Sequence, residues 1–488
     1  MLNYLKEEAA CGLTENGAVT LRTSGESCLD LFFRAGAMRN VSEDEIRGCV
    51  TRAYIEDPLT ALRIIFFARD IRGGLGERRF FRVALDCVRE LDSAAVEKNM
   101  HLISEYGRWD DMLVLLDSPL GEKAAELIGR QLAADTEAME KGENVSLLAK
   151  WLPSANASSK ATKSYARMLI KKLGMNAAEY RKKLSALRGY IDIIENRLRT
   201  MDYSFDYSKQ PSRAMLKYRA AFMRHDGERY SGFIGSVLSG ESKLNAGTLY
   251  PYDIVRECFS ASSEPQKKSL DATWRSLPSF GDNEENALAV VDGSGSMTWA
   301  ANGNIRPLDV ALSLGIYFAE HTKGGFANHF ITFSKNPQLV EVHGEDIVSK
   351  VKYCASFSEV ANTDLEAVFR LLLNTAVKNR LPQKDMPAKL FIISDMEFDY
   401  CVVGGNDDTL FREMKKMYAA AGYKLPDIVF WNVNSRSQNI PVSRSETGAA
   451  LVSGASPAIF DMVIGGGLSP EKVMRDIIES ERYAAIVR

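Results

Sequence analysis

The chain has 488 residues, of which 45% are hydrophobic and 26% charged, and its net charge is −3 at pH 7. That length implies two or three domains, and the near-neutral balance excludes a globally basic nucleic-acid binder, so any basic surface has to be local. No stretch reaches the roughly 18 uninterrupted apolar residues of a membrane span. The opening MLNYLKEEAACGLTENG lacks a signal-peptide core, and seven scattered cysteines without a C-x-x-C pair imply free thiols in a reducing cytoplasm.

Up to about residue 275 the expected elements are helices. DPLTALRIIFFARDIRG repeats apolar residues at helical spacing behind Asp57-Pro58, a favourable helix start. ERRFFRVALDCVREL, SAAVEKNMHLISEYG, EKAAELIGRQLAADTEAMEK and NAAEYRKKLSALRGYIDIIENRLR follow with short connections. Consecutive amphipathic helices of this kind stack into a solenoid or curved array, although no strict sequence repeat is present. In IRGGLGER no strand precedes the glycines, so Gly73, Gly74 and Gly76 are expected to break one helix before the next. Trp109 reads as a packed anchor between helices. A linker is expected around SASSEPQKKSLDATWRSLPSFGDNEEN, which is rich in Ser, Pro and charge; a short helix followed by a loop is the alternative.

From about Asn286 the rhythm changes. ALAVVD, NHFITFS, QLVEVH, KLFIISD, DIVFWNV and AALVSG are candidate strands, separated by segments such as PLDVALSLGIYFAEHT and DLEAVFRLLLNTAVKN. Apolar strands alternating with amphipathic helices predict a mostly parallel sheet covered on both faces. NHFITFSKNPQLVEVHG reads as a hairpin, which places one antiparallel strand at the sheet edge. Ligands of such sheets bind beyond the carboxyl ends of the strands, where ALAVVD and KLFIISD both end in Asp.

The turn DGSGSM, at Asp292 to Met297, lacks the lysine of a phosphate loop, the third glycine of a dinucleotide fingerprint and the flanking glycines of a nucleophile elbow. A plain strand-to-helix turn with a serine cap is one reading. The other is a cation site. Asp292, Ser294 and Ser296 alternate along the turn, Thr363 and Asp364 open a helix, and Asp395 ends a strand. Three segments thereby bring hard oxygens to one rim, and hard oxygens suit Mg²⁺.

D-x-S-x-S, then Thr at a helix start, then Asp after an apolar strand, resembles the metal-ion-dependent adhesion site of von Willebrand factor type A domains. The resemblance implies a divalent cation, Mg²⁺ first, held by Asp292, Ser294, Ser296, Thr363 and Asp395, with a partner's oxygen completing the shell. The helical half resembles the Ro ribonucleoprotein-like (TROVE-related) family, on TENGAVTLRTSGESCLDLFFRAGAMR, DPLTALRIIFFARDIRGGLGERRFFRVAL, YGRWDDMLVLL and LLAKWLPSAN. Together these imply a HEAT-like helical-repeat domain over residues 1–275, closed into a ring in that family, followed by a doubly wound α/β A-type domain over 286–488.

The second resemblance implies a monomeric cytoplasmic RNA-binding protein. It would hold small non-coding, structured or single-stranded RNA for processing or quality control, beside a nuclease or other protein. Its expected basic surface falls on Lys150, Lys160, Lys163, Arg167, Lys171, Lys172, Arg181, Lys182, Lys183 and Arg188, with Tyr165, Tyr180, Tyr203 and Tyr207 interleaved as stacking platforms. A solvated helix face with core tyrosines is the competing reading, and a cation-dependent protein scaffold without RNA is the competing function. Five scattered histidines show no metal-ligand spacing, and no base or nucleophile is recognisable beside Asp292, so no catalysis is expected.

Overall fold

The computed structural model describes residues 1, 10–279, 286–299, 305–333, 336–357, 364–398, 410–463 and 467–488. All six expected strands form one sheet, with β3 Ala287–Asp292, β4 His329–Phe333, β5 Gln338–Glu341, β6 Lys389–Ser394, β7 Asp427–Asn432 and β8 Ala449–Ser453 in the order β5-β4-β3-β6-β7-β8. All pairings are parallel except that of the edge strand β5, which returns antiparallel to β4 as the hairpin pattern predicts. Every residue of β3 and β6 is buried, because helices cover both faces and leave no solvent side for polar alternation. The chain leaves β3 for β4 on one side and reaches β6 on the other. This reversal of order opens a crevice beyond the carboxyl ends of β3 and β6.

Before the sheet the chain is almost wholly helical. Helix Pro58–Arg69 starts where the sequence places it: Asp57 caps it by accepting from the backbone N–H of Leu59 and Thr60, both at 3.1 Å. It ends at the glycine turn, where the backbone folds back so tightly that a Cβ on Gly74 would lie 2.0 Å from the carbonyl oxygen of Phe67. Helix Arg78–Leu91 then begins. Consecutive helices pack on one another to His225 and beyond, and the run comes back on itself. Tyr250 donates its hydroxyl to the carbonyl of Leu75 at 3.1 Å, and Arg39 lies 5.5 Å from the ring centre of Tyr252.

Two elements sharpen the expectations. Of the two readings of SASSEPQKKSLDATWRSLPSFGDNEEN, the linker gives way to its alternative, the helix Glu264–Arg275, started by a reciprocal capping box between Ser263 and Gln266 and buried along Leu270, Ala272 and Trp274. The N-terminal stretch, within the part of the chain read as helical, forms a two-stranded antiparallel hairpin of β1 Cys11–Leu13 and β2 Val19–Leu21.

The two halves share one continuous core. Helix Ser27–Ala35 lies on β8, where Ser453 Oγ donates to the Phe32 carbonyl at 3.2 Å and accepts from Gly36 N–H at 3.0 Å. At the other end, Trp274 Nε1 donates to Glu320 at 2.7 Å and Asp271 accepts from the N–H of Ile347 at 3.0 Å. Among the described residues no helix is long and apolar enough to cross a membrane.

Candidate cation site at the sheet rim

β3 delivers Asp292 to the rim beside Ser394, the last residue of β6, since Val291 pairs with Ile393 one step earlier. Both oxygens of Asp292 are engaged: Oδ2 accepts from Ser394 Oγ at 2.6 Å, and Oδ1 from the backbone N–H of Ser294 at 2.9 Å. That second bond curls the turn and brings the hydroxyls of Ser294 and Ser296 to 3.0 Å from each other. Asp292, Ser294 and Asp395 are buried and Ser296 is half-buried, so the cluster meets solvent on the Ser296 side. Trp299, just beyond, is 79% exposed.

Asp395 follows β6 directly. Its Oδ1 receives the N–H of Glu397 at a long 3.4 Å, and its Oδ2 is buried without a hydrogen-bond donor. Burial pushes both Asp292 and Asp395 above the usual carboxylate range, and the Asp395 charge adds to the rise at Asp292. Two buried carboxylates repel each other, and a cation between them would relieve both. The donor set, two carboxylates and two hydroxyls, is all hard oxygen and fits a small divalent cation. Thr363 lies outside the described residues; the neighbouring Asp364 caps helix Leu365–Asn379 by accepting from Ala367 N–H at 2.8 Å.

Three neighbours of the site went unread in the sequence. Ser394 is visible in hindsight as the hydroxyl before Asp395. Glu397, 1% exposed, accepts from the Glu15 N–H and Asn439 Nδ2, each at 2.9 Å, and from Ser437 Oγ. Arg436, on the loop after β7, places Nε 3.3 Å from Asp395 Oδ2 and gives a terminal nitrogen to Glu15 at 2.8 Å. Glu15 belongs to the β1–β2 turn, so the N-terminal hairpin docks on this rim. Thr14 Oγ1 also donates to the Phe398 carbonyl at 2.6 Å, and Asn16 Nδ2 to that of Glu397 at 2.8 Å.

The basic residues divide into two sets. Lys150 pairs with Glu195 at 3.8 Å, Lys172 with Glu122 at 2.8 Å and Lys183 with Glu179 at 3.5 Å. Arg188 is a structural clamp that donates to the carbonyls of Ala149 and Leu152 and to Ser154 Oγ, each at 2.8 Å. Lys160, Lys163, Arg167, Lys171, Arg181 and Lys182, on helices Lys160–Lys172 and Ala177–Tyr190, have no ion pair among the described residues. A cleft of about 710 Å³ beside them is bordered by Arg181, Arg188, Arg197 and Arg199 and by the acids Asp192 and Asp202, both of which pair with Arg197. The tyrosines do not form an exposed ladder: Tyr180 and Tyr207 are buried, and Tyr165 and Tyr203 pack partly buried against the core.

The fold and rim thus define a helical array joined to an α/β sheet unit with an oxygen-lined switch-point crevice. A family model described as a domain of unknown function (DUF2828) matches residues 14–118 and 119–279, more than half the chain, and the protein belongs to that family. A second domain of unknown function (DUF7788) matches residues 286–484. The chain is also similar to the uncharacterized protein L728 of Acanthamoeba polyphaga mimivirus, 27% identical over 511 residues that cover 96% of this chain and 88% of that protein. These matches overturn the expected membership of the Ro-like family with a von Willebrand factor type A domain. The strings that suggested it are amphipathic helices and a polar turn at a strand end. Packing and sheet geometry demand such features of many lineages.

Proposed function

We propose that the rim is a divalent-cation site, Mg²⁺ first, through which the protein captures a carboxylate of a partner protein, and that it acts by binding and not by catalysis. The observation that carries this reading is the buried Asp395 Oδ2, left without a donor one residue past the strand position beside Asp292. Ser294 and Ser296 supply two neutral donors. An incomplete shell on the solvent side would take an anionic oxygen, and the exposed Trp299 offers apolar contact beside it. The described cysteines are all free, five of them buried, which suits a reducing compartment.

Titration calorimetry with Mg²⁺ and Mn²⁺ tests the site: wild type binds one ion, and Asp292→Asn loses at least about tenfold in affinity, since it removes a charged donor. Bound cation also stabilises the fold by linkage, by about 2.7 kcal/mol at 100 times Kd. The melting temperature therefore rises with Mg²⁺ in wild type and stays flat in Asp292→Asn. A wild-type melting curve indifferent to cation at millimolar concentration defeats the reading.

A second reading rests on the six basic side chains that have no ion pair among the described residues, beside a cleft lined by arginines and by the acids Asp192 and Asp202. We propose that this face holds RNA through its phosphates. The test is RNA binding across a salt series, with Lys163, Arg167, Lys171 and Lys182 reversed to Glu. The log–log salt slope should shrink by about 0.7 for each single-strand phosphate contact removed. An unchanged slope rejects the basic face as the contact surface.

A further inference from the structure

Arg436 spans two carboxylates in different parts of the chain. Its Nε is 3.3 Å from the donor-less Oδ2 of Asp395, and its terminal nitrogen is 2.8 Å from Glu15 in the turn of the N-terminal hairpin. The Arg436 side chain is about one-third exposed, whereas that of Asp395 is buried, so the arginine links the buried carboxylate to the surface. A guanidinium at this distance supplies part of the charge a cation would supply, without a hydrogen bond to that oxygen. It also stands where a second positive charge would be repelled.

We propose that Arg436 is a resident counter-cation of the rim: it neutralises Asp395 until a divalent ion replaces it, and its release loosens the hairpin turn. This rests on the cation reading above. A divalent ion needs the Asp395 oxygen that Arg436 faces, and two cations cannot share one buried carboxylate edge cheaply. Displaced Arg436 no longer ties Glu15 to Asp395, which removes one of the links between the turn and the rim, beside its bonds to Glu397 and Phe398. Cation occupancy at the rim is thereby reported at the hairpin, which is held to the rest of the sheet unit by the exchange of bonds between Leu21 and Ile440 at 3.0 and 2.8 Å. The coupling is reciprocal, so whatever holds the hairpin down weakens cation binding.

The experiment compares wild type, Arg436→Gln and Arg436→Lys by Mn²⁺ titration, with hydrogen exchange of the 11–21 amides measured with and without cation. Arg436→Gln should bind Mn²⁺ about tenfold more tightly, within the usual span of coupling between sites, and Arg436→Lys should stay near wild type. Cation should speed exchange at the hairpin turn in wild type and leave it unchanged in Arg436→Gln. If wild type binds Mn²⁺ and Arg436→Gln binds it equally or more weakly, the counter-cation role is wrong and the site stands. If neither binds, the cation reading falls and this inference with it.

Discussion

Asp111 is fully buried, and its oxygens are shared out completely. Oδ2 accepts from Arg69 Nε at 2.7 Å and from the Arg108 N–H at 3.0 Å, and Oδ1 accepts from Arg82 Nε at 2.7 Å. Arg69 is as deeply buried, at 3% side-chain exposure. Removing the acid would strand that guanidinium without a counter-charge, and breaking one side of a buried pair costs about 3–5 kcal/mol. Asp111→Ala should lose that much by denaturant unfolding. Glu137→Ala, which breaks the exposed pair with Lys141 at 57% and 66% exposure, should change stability by less than about 0.5 kcal/mol. The same contrast separates the basic residues of helices Lys160–Lys172 and Ala177–Tyr190. Lys172 and Lys183 already have acids, so their charge is less available than that of Lys171 and Lys182.

At the scale of elements, what was legible depended on how local the cause is. All six strands of the sheet could be read, because each is an apolar run whose length and flanks declare it, and β3 and β6 are buried throughout. Asp292 and Asp395 could be read as rim residues because strand ends fix them. The helix Glu264–Arg275 reads in the sequence only as the alternative to a linker, because of its Ser, Pro and charge content, although Ser263, Gln266 and a proline in the first turn are the signature of a helix start. The β1–β2 hairpin carried a signal too: Asn16-Gly17, with Gly17 at φ 87°. Its strands have only three residues each, however, too few to show alternation. Arg436 left no local trace at all. It sits in a polar loop, and its partners Glu15 and Asp395 are distant in sequence, so only the docked hairpin reveals what it does.

At the scale of the whole molecule, the change of rhythm near residue 280 marks a change of architecture without a physical division. The sheet unit presents buried surface to helices from before it on two sides. Arg34 Nε donates to Ser435 Oγ at 2.8 Å beside β8, and Tyr483 stacks at 5.7 Å on Tyr106 while Arg482 pairs with the buried Asp70. On the far side Trp274 lies edge-on to Tyr317 at 6.1 Å, and Lys352 Nζ donates to the Ala261 carbonyl at 3.0 Å. Cutting the chain between the halves would bare both apolar surfaces and leave Arg34, a buried cation, without its serine. Exposed apolar patches beyond a few hundred Å² drive association in water. Residues 286–488 expressed alone should therefore aggregate, or elute as an expanded species with weak near-ultraviolet circular dichroism. Co-expression with residues 1–279 should restore a soluble one-to-one complex whose spectrum matches the intact chain. A monomeric, sharply melting 286–488 fragment would instead mean that the shared core contributes little, and that the hairpin and rim communicate across an ordinary domain interface.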